Sequence, residues 1–203
     1  AYSTLGWFED PLLDTMLELE DPALAASLFH ELAHQKLYVK GDADFNEAYA
    51  TFVEKEAVRQ WLSNSNRSGL LAAWEESIAA AAQFSALLAT VRERVQEVYG
   101  SGLAADTMRR LKRRLFVEFA LAYARLRDEQ WQGADRYAAW FAQPINNAAL
   151  TLANSYQGGG CAFRALFRQA QGDFKSFHAL ALARARMPRA SRTAWLEQLQ
   201  QEL

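Results

Sequence analysis

The chain has 203 residues, 51% hydrophobic and 12% aromatic, with only four prolines and a formal net charge of −2. That content excludes a disordered or fibrous chain and suffices to bury a sizeable core as one domain. No apolar run reaches the ~18 residues that a membrane-crossing helix needs, and a single cysteine, Cys161, excludes an internal disulfide.

The charge is unevenly spread. Residues 1–64 hold twelve acidic against four basic residues, whereas residues 65–203 hold eighteen basic against twelve acidic. An acidic field favours cations, a metal ion or a positively charged peptide among them, and is equally what a soluble surface presents.

Tyr2 to Phe8 is the one stretch that reads as a strand. Either Ser3 and Thr4 line an edge to which an extended peptide adds, or Leu5, Trp7 and Phe8 pack as an apolar strap. Helical signals begin at Asp21, a good N-cap, followed by Pro22 at the first helical position, where its missing N–H costs nothing. Ala25, Leu28, Phe29, Leu32 and Ala33 form an apolar stripe and Gly41 supplies a stop, so a helix is predicted from Pro22 to Tyr38.

Within it lies His30-Glu31-Leu32-Ala33-His34, a His-Glu-x-x-His motif. This spacing sets two imidazoles one turn apart on one helix face, where both can hold one Zn²⁺, with Glu31 placed to act as general base on a water there. The chain has three histidines; the third, His178, and Cys161 lie far away without a ligand pattern, so an acidic third ligand is expected. Asn46-Glu47-Ala48-Tyr49-Ala50-Thr51-Phe52-Val53-Glu54 reads as a second helix capped by Asp44, with Glu47 and Glu54 on one face. Glu47 either completes the metal set or closes a capping box with Asp44. Glu54 either accepts the second N–H of a ligating His or pairs on the surface with Arg59.

Ser68 to Tyr99, closed by Gly100, and Ala104 to Gln130 read as two long amphipathic helices joined by a glycine turn, a helical hairpin. Arg109, Arg110, Lys112, Arg113 and Arg114 form the one basic cluster. The interleaved Leu111, Leu115, Phe116, Phe119 and Tyr123 mark it as the solvated side of such a helix, so no nucleic-acid partner is expected. Shorter helices follow, punctuated by Gly133, Pro144, Gly158-Gly159-Gly160, Gly172 and Pro188. Tyr156, before the glycine run, is either the electrophile that stabilises an oxyanion, with His178 as second choice, or a core tyrosine. The fold expectation is mainly α. One domain, 1–203, comprises a zinc-site segment (1–64), the long hairpin (65–132) and C-terminal helices (133–203).

His30 to Gln35 together with Asn46 to Glu54 resembles the paired signature of the gluzincin metallopeptidases, especially the aminopeptidase N type. That resemblance implies Glu47 as third zinc ligand. It departs in a shorter connection between the helices and in lacking a Gly-x-Met-x-Asn segment. Over more of the chain, Tyr2 to Pro11, the two zinc helices, and Asn146-Asn147-Ala148 with Tyr156 ten residues on are similar to a bacterial family of predicted aminopeptidases. The resemblance implies Asn146 near substrate. Members typically carry a lipoprotein-type signal and a further N-terminal region ahead of the matched segment. It thus implies a periplasmic-side envelope protein, anchored to the membrane through that upstream region.

Two functions are compatible with these residues. One is zinc-dependent hydrolysis of a peptide or protein substrate; the other is a non-catalytic helical binding or scaffold protein with a structural or vestigial metal site. A structural site would close with a fourth side chain, whereas a catalytic one keeps a position open.

Overall fold

The computed structural model describes residues 21–143, 145–147, 150 and 160–198. Among these, eight helices occur and no strand: α1 (Asp21–Lys36), α2 (Ala43–Asn64), α3 (Ser68–Gly100), α4 (Ala105–Gln130), α5 (Ala138–Phe141), α6 (Gly160–Gln169), α7 (Phe174–Ala185) and α8 (Arg189–Gln198). The protein is mainly α, and none of these helices is long and apolar enough to cross a membrane. The expected strand at Tyr2–Phe8, with Ser3 and Thr4, lies outside the described residues, as does Tyr156.

The described residues divide into two compact units. Residues 21–75 and 160–198 form one, and residues 76–143 with 145–147 and 150 form the other. The zinc-site segment of the sequence reading thus shares a unit with α6, α7 and α8, whereas α5, within the range read as C-terminal helices, falls in the unit of the hairpin; α3 contributes residues 68–75 to the first unit.

In the first unit, α1 and α2 lie along one another, joined by Leu37–Asp42. The helix expected to reach Tyr38 stops at Lys36, and the chain turns at Gly41, whose φ of +79° is natural only to a residue without Cβ. The second helix is capped by Asp42, not Asp44: the Asp42 side chain accepts from the Phe45 N–H at 3.4 Å. Phe45 is therefore the third helical residue and Glu47 lies beyond the reach of a capping box, which removes that reading of Glu47.

One face of α2 carries Phe45, Tyr49 and Phe52 into a core shared with Phe163 and Phe167 of α6, Phe177 of α7 and Trp195 of α8. Phe163 meets Phe45 edge-on at 5.3 Å and Trp195 at 5.1 Å, while Tyr49 stacks on Phe177 at 5.9 Å. Each fully buried ring stabilises the unit by roughly 1.5–3 kcal/mol. Val58 and Leu62 of α2 form a separate apolar cluster with Ala26 of α1.

In the second unit, Phe84, Leu88, Val91 and Val95 of α3 pack with Leu115, Phe119 and Tyr123 of α4. Gly102, at φ +69°, makes the turn between these helices. The short α5 adds Trp140 and Phe141; Phe84 stacks on Tyr137 at 3.8 Å and Tyr123 on Phe141 at 4.2 Å. Arg109, Arg110, Arg113 and Arg114 are exposed, with Arg109 paired to Asp106 and Arg114 to Glu118.

Candidate metal centre

His30 and His34 leave α1 one turn apart, because four residues advance a helix by little more than a full turn. Their Nε2 atoms approach to 3.1 Å with the rings edge to face. From α2, the Glu47 carboxylate reaches both, Oε2 lying 3.4 Å from His30 Nε2 and Oε1 lying 3.5 Å from His34 Nε2. These three side chains are the one group of His, Cys, Asp or Glu among the described residues that could share a metal ion.

A zinc ion bound at about 2.05 Å with tetrahedral angles holds neighbouring ligand atoms about 3.3 Å apart. The two imidazole nitrogens, 3.1 Å apart, are close to that value, and the Glu47 carboxylate offers one oxygen to each ring, Oε2 at 3.4 Å and Oε1 at 3.5 Å. Two imidazole nitrogens and one carboxylate oxygen are also the donor types of catalytic zinc, so the residues present fit the ion.

The next layer is partly built. Glu54 Oε2 lies 3.0 Å from His30 Nδ1, so the far side of that ring is engaged and Nε2 is left toward Glu47. Arg59, the surface partner the sequence offered for Glu54, is instead held by Glu56 at 2.9 Å. His34 Nδ1 and Glu31 Oε2 are buried without a hydrogen-bond partner among the described residues. An unpaired buried carboxylate oxygen costs free energy that a water or a substrate group at the site would recover.

The two histidines are tuned in opposite directions. Burial works against a charged His30, but the hydrogen bond to Glu54 and the carboxylates of Glu54, Glu47 and Glu31 outweigh it and raise its pKa above the ordinary value. His34 is lowered by burial and by the neighbouring His30, against the pull of Glu47 and Glu31. The carboxylates that pull His30 upward would equally favour a divalent cation beside the two rings.

His178 takes no part in the triad. Its Nδ1 is 2.7 Å from the Tyr49 hydroxyl, and it lines a groove of about 350 Å³ with Phe29, Leu32, Lys36, Val53 and Phe174. Leu32 and Lys36 lie on the side of α1 turned away from the imidazoles. Asn146 is exposed and belongs to the second unit, where its carbonyl accepts from the Leu150 N–H at 3.3 Å.

Sequence reasoning missed three supports of the site. Asn46 is buried and hydrogen-bonds both polar groups of the Val39 backbone. Asp42, besides capping α2, forms a buried ion pair with Arg192 of α8, whose Nε and Nη2 reach Oδ2 at 2.7 and 2.6 Å. The Tyr38 ring stands edge-on to His34 at 6.3 Å. The one available signal was that Asn46 directly precedes Glu47.

The model of the family described as "Putative aminopeptidase" matches residues 1–196. The chain belongs to this family. No curated protein and no solved structure matches it. Membership points to a peptidase, with peptides as the substrate class.

Proposed function

We propose that the protein is a zinc-dependent peptidase of the gluzincin type, with His30, His34 and Glu47 as the ligands. The observation that carries this reading is the convergence of three ligand side chains from two helices: the Nε2 atoms of His30 and His34 lie 3.1 Å apart, and the Glu47 carboxylate turns Oε2 to the first at 3.4 Å and Oε1 to the second at 3.5 Å. Three protein ligands are the number found in catalytic zinc centres, whereas structural centres use four. When bound, zinc supplies Lewis acidity and lowers the pKa of a water to about 7.

The protein's own residues do the rest. Glu31, adjacent to His30 on α1 and with a buried unpaired oxygen, accepts the proton of the attacking water and returns it to the leaving amine. Glu54 holds His30 through Nδ1, which fixes the ring's orientation and strengthens Nε2 as a donor. Tyr156 is proposed to stabilise the developing oxyanion, and Ser3, Thr4 and Asn146 to hold the peptide. The envelope location implied by the family resemblance belongs to the same proposal.

The test is a metal analysis beside a peptidase assay with blocked and free N-terminal peptides. The unaltered protein is expected to hold about one zinc per chain, and His30→Ala to hold none. Glu31→Gln should keep the zinc and lose roughly 10²–10⁴-fold of any peptide cleavage. Zinc absent after supplementation overturns the ligand set; full activity in Glu31→Gln overturns the base.

A further inference from the structure

We propose that Asn46 is the positioning residue that aims Glu47 at the imidazole pair, an inference that rests on the zinc reading above. His30 and His34 sit on α1 and Glu47 on α2, so their mutual approach is decided by the connection Leu37–Asp42. A helix pair joined by a turn keeps rotational and sliding freedom unless something fixes the turn to one of the helices.

Asn46 does this with a single side chain. Its Oδ1 accepts from the Val39 N–H at 2.8 Å, and its Nδ2 donates to the Val39 carbonyl at 2.9 Å. A planar amide thereby pairs with both polar groups of one residue, as a neighbouring β-strand would. The same carbonyl also accepts from the Asp42 N–H at 3.2 Å, which ties the bracket to the cap of α2. Asn46 is only 1% exposed, so neither half can be replaced by water without rearrangement.

Because Glu47 is the next residue in the same helix, fixing the side-chain direction of Asn46 fixes the rotation of α2 at Glu47. A primary amide sets a donor and an acceptor side by side on one planar group, and Gln, the only other side chain with an amide, is a methylene longer. The bracket explains why the short polar amide stands here, in a helix where Asn has poor propensity.

The experiment compares zinc affinity, by competition with a chelating dye, in the unaltered protein, Asn46→Asp and Val58→Ala. Asn46→Asp keeps the size and one acceptor but sets a carboxylate oxygen against the Val39 carbonyl. Val58 is fully buried in α2, in a separate cluster with Ala26 and Leu62, so Val58→Ala lowers stability without touching the bracket. Asn46→Asp should weaken zinc 10–100-fold, the cost of losing an outer support of a ligand, and alter the visible spectrum of the cobalt-substituted protein. Val58→Ala should lower Tm and leave zinc affinity unchanged. Should Asn46→Asp fail to fold, Asn46→Ser, which keeps one hydroxyl near Val39, carries the same measurement. Wild-type zinc affinity in the folded Asn46 variant overturns the proposal alone; no zinc binding by the unaltered protein overturns the metal reading and the proposal with it.

Discussion

In the unit built on α1, α2 and the C-terminal helices, four polar or charged residues are buried: His34, Asp42, Asn46 and Arg192. In the unit built on the hairpin, every buried residue described is apolar or aromatic. The hairpin follows the ordinary rule that stability comes from burying rings and aliphatic chains, with charges left at the surface. The first unit accepts the desolvation cost of polar groups, and each of them is attached to α1, to the cap of α2, or to the segment between them. A buried ion pair is weak evidence of stability and stronger evidence that a particular geometry is being held. Here the geometry held is the approach of Glu47 to the two imidazoles.

The contrast can be broken most forcefully at Arg192. Truncating it to Ala leaves the Asp42 carboxylate buried without its counter-charge and strips hydrogen bonds from the Ala185 and Met187 carbonyls. The expected loss is about 3–5 kcal/mol of unfolding free energy in denaturant titration, with weaker zinc binding, since α2 loses its anchored cap. An unchanged zinc affinity in the folded variant would separate the ion pair from the site. Next in size is Leu88→Ala in the hairpin, where a cavity in an apolar core should cost about 3 kcal/mol and leave zinc affinity as it was. A fall in affinity there would dissolve the distinction between the units.

The smallest effect sharpens the comparison through pH. His178, whose pKa is lowered by burial and by nearby Lys36 against the opposing pull of Asp173, favours its neutral form in the fold. Tyr49 is fully buried, its pKa is pushed far up by burial, and its hydroxyl has His178 as its partner, so the phenol donates to Nδ1. A histidine with a lowered folded pKa contributes stability that is complete above about pH 6.5 and is lost as pH falls through the lowered value. His30, raised, has the opposite sign: its contribution is present below that pH and lost as pH rises through the raised value. Replacing both partners, Tyr49→Phe with His178→Phe, leaves His30 and His34 in place and should flatten the decline of stability as pH falls below about 6.5. A decline as steep as the parent's would assign the acid sensitivity to other groups.

The helices and the convergence of His30, His34 and Glu47 were legible in the sequence because both rest on helical periodicity. His30, His34, Glu47 and Glu54 recur at helical spacing, and the long amphipathic stretches predict α3 and α4 to within a residue at their ends. Asp44 against Asp42 shows where local reading stops: two acids two residues apart are equal as caps until Gly41 decides where the turn closes. The Asp42–Arg192 pair joins residues 150 positions apart, and Tyr49 meets His178 across 129; neither has a local signature, since packing of whole helices brings them together. Asn46 was visible as a letter, and its meaning came from the backbone it brackets.

The connection Leu37–Asp42 has a last consequence. The three proposed ligands, with Glu31 and Glu54, lie between positions 30 and 54, so the site closes over a connection of only six residues and forfeits little chain entropy. Contacts so local form early in folding, whereas those of α8 with α2 wait on distant sequence. At a hundredfold excess over its Kd, a bound ion would add about 2.7 kcal/mol to whatever structure contains the site. The three residues that would hold it lie on α1 and α2, so the gain would fall first on the packing of those two helices.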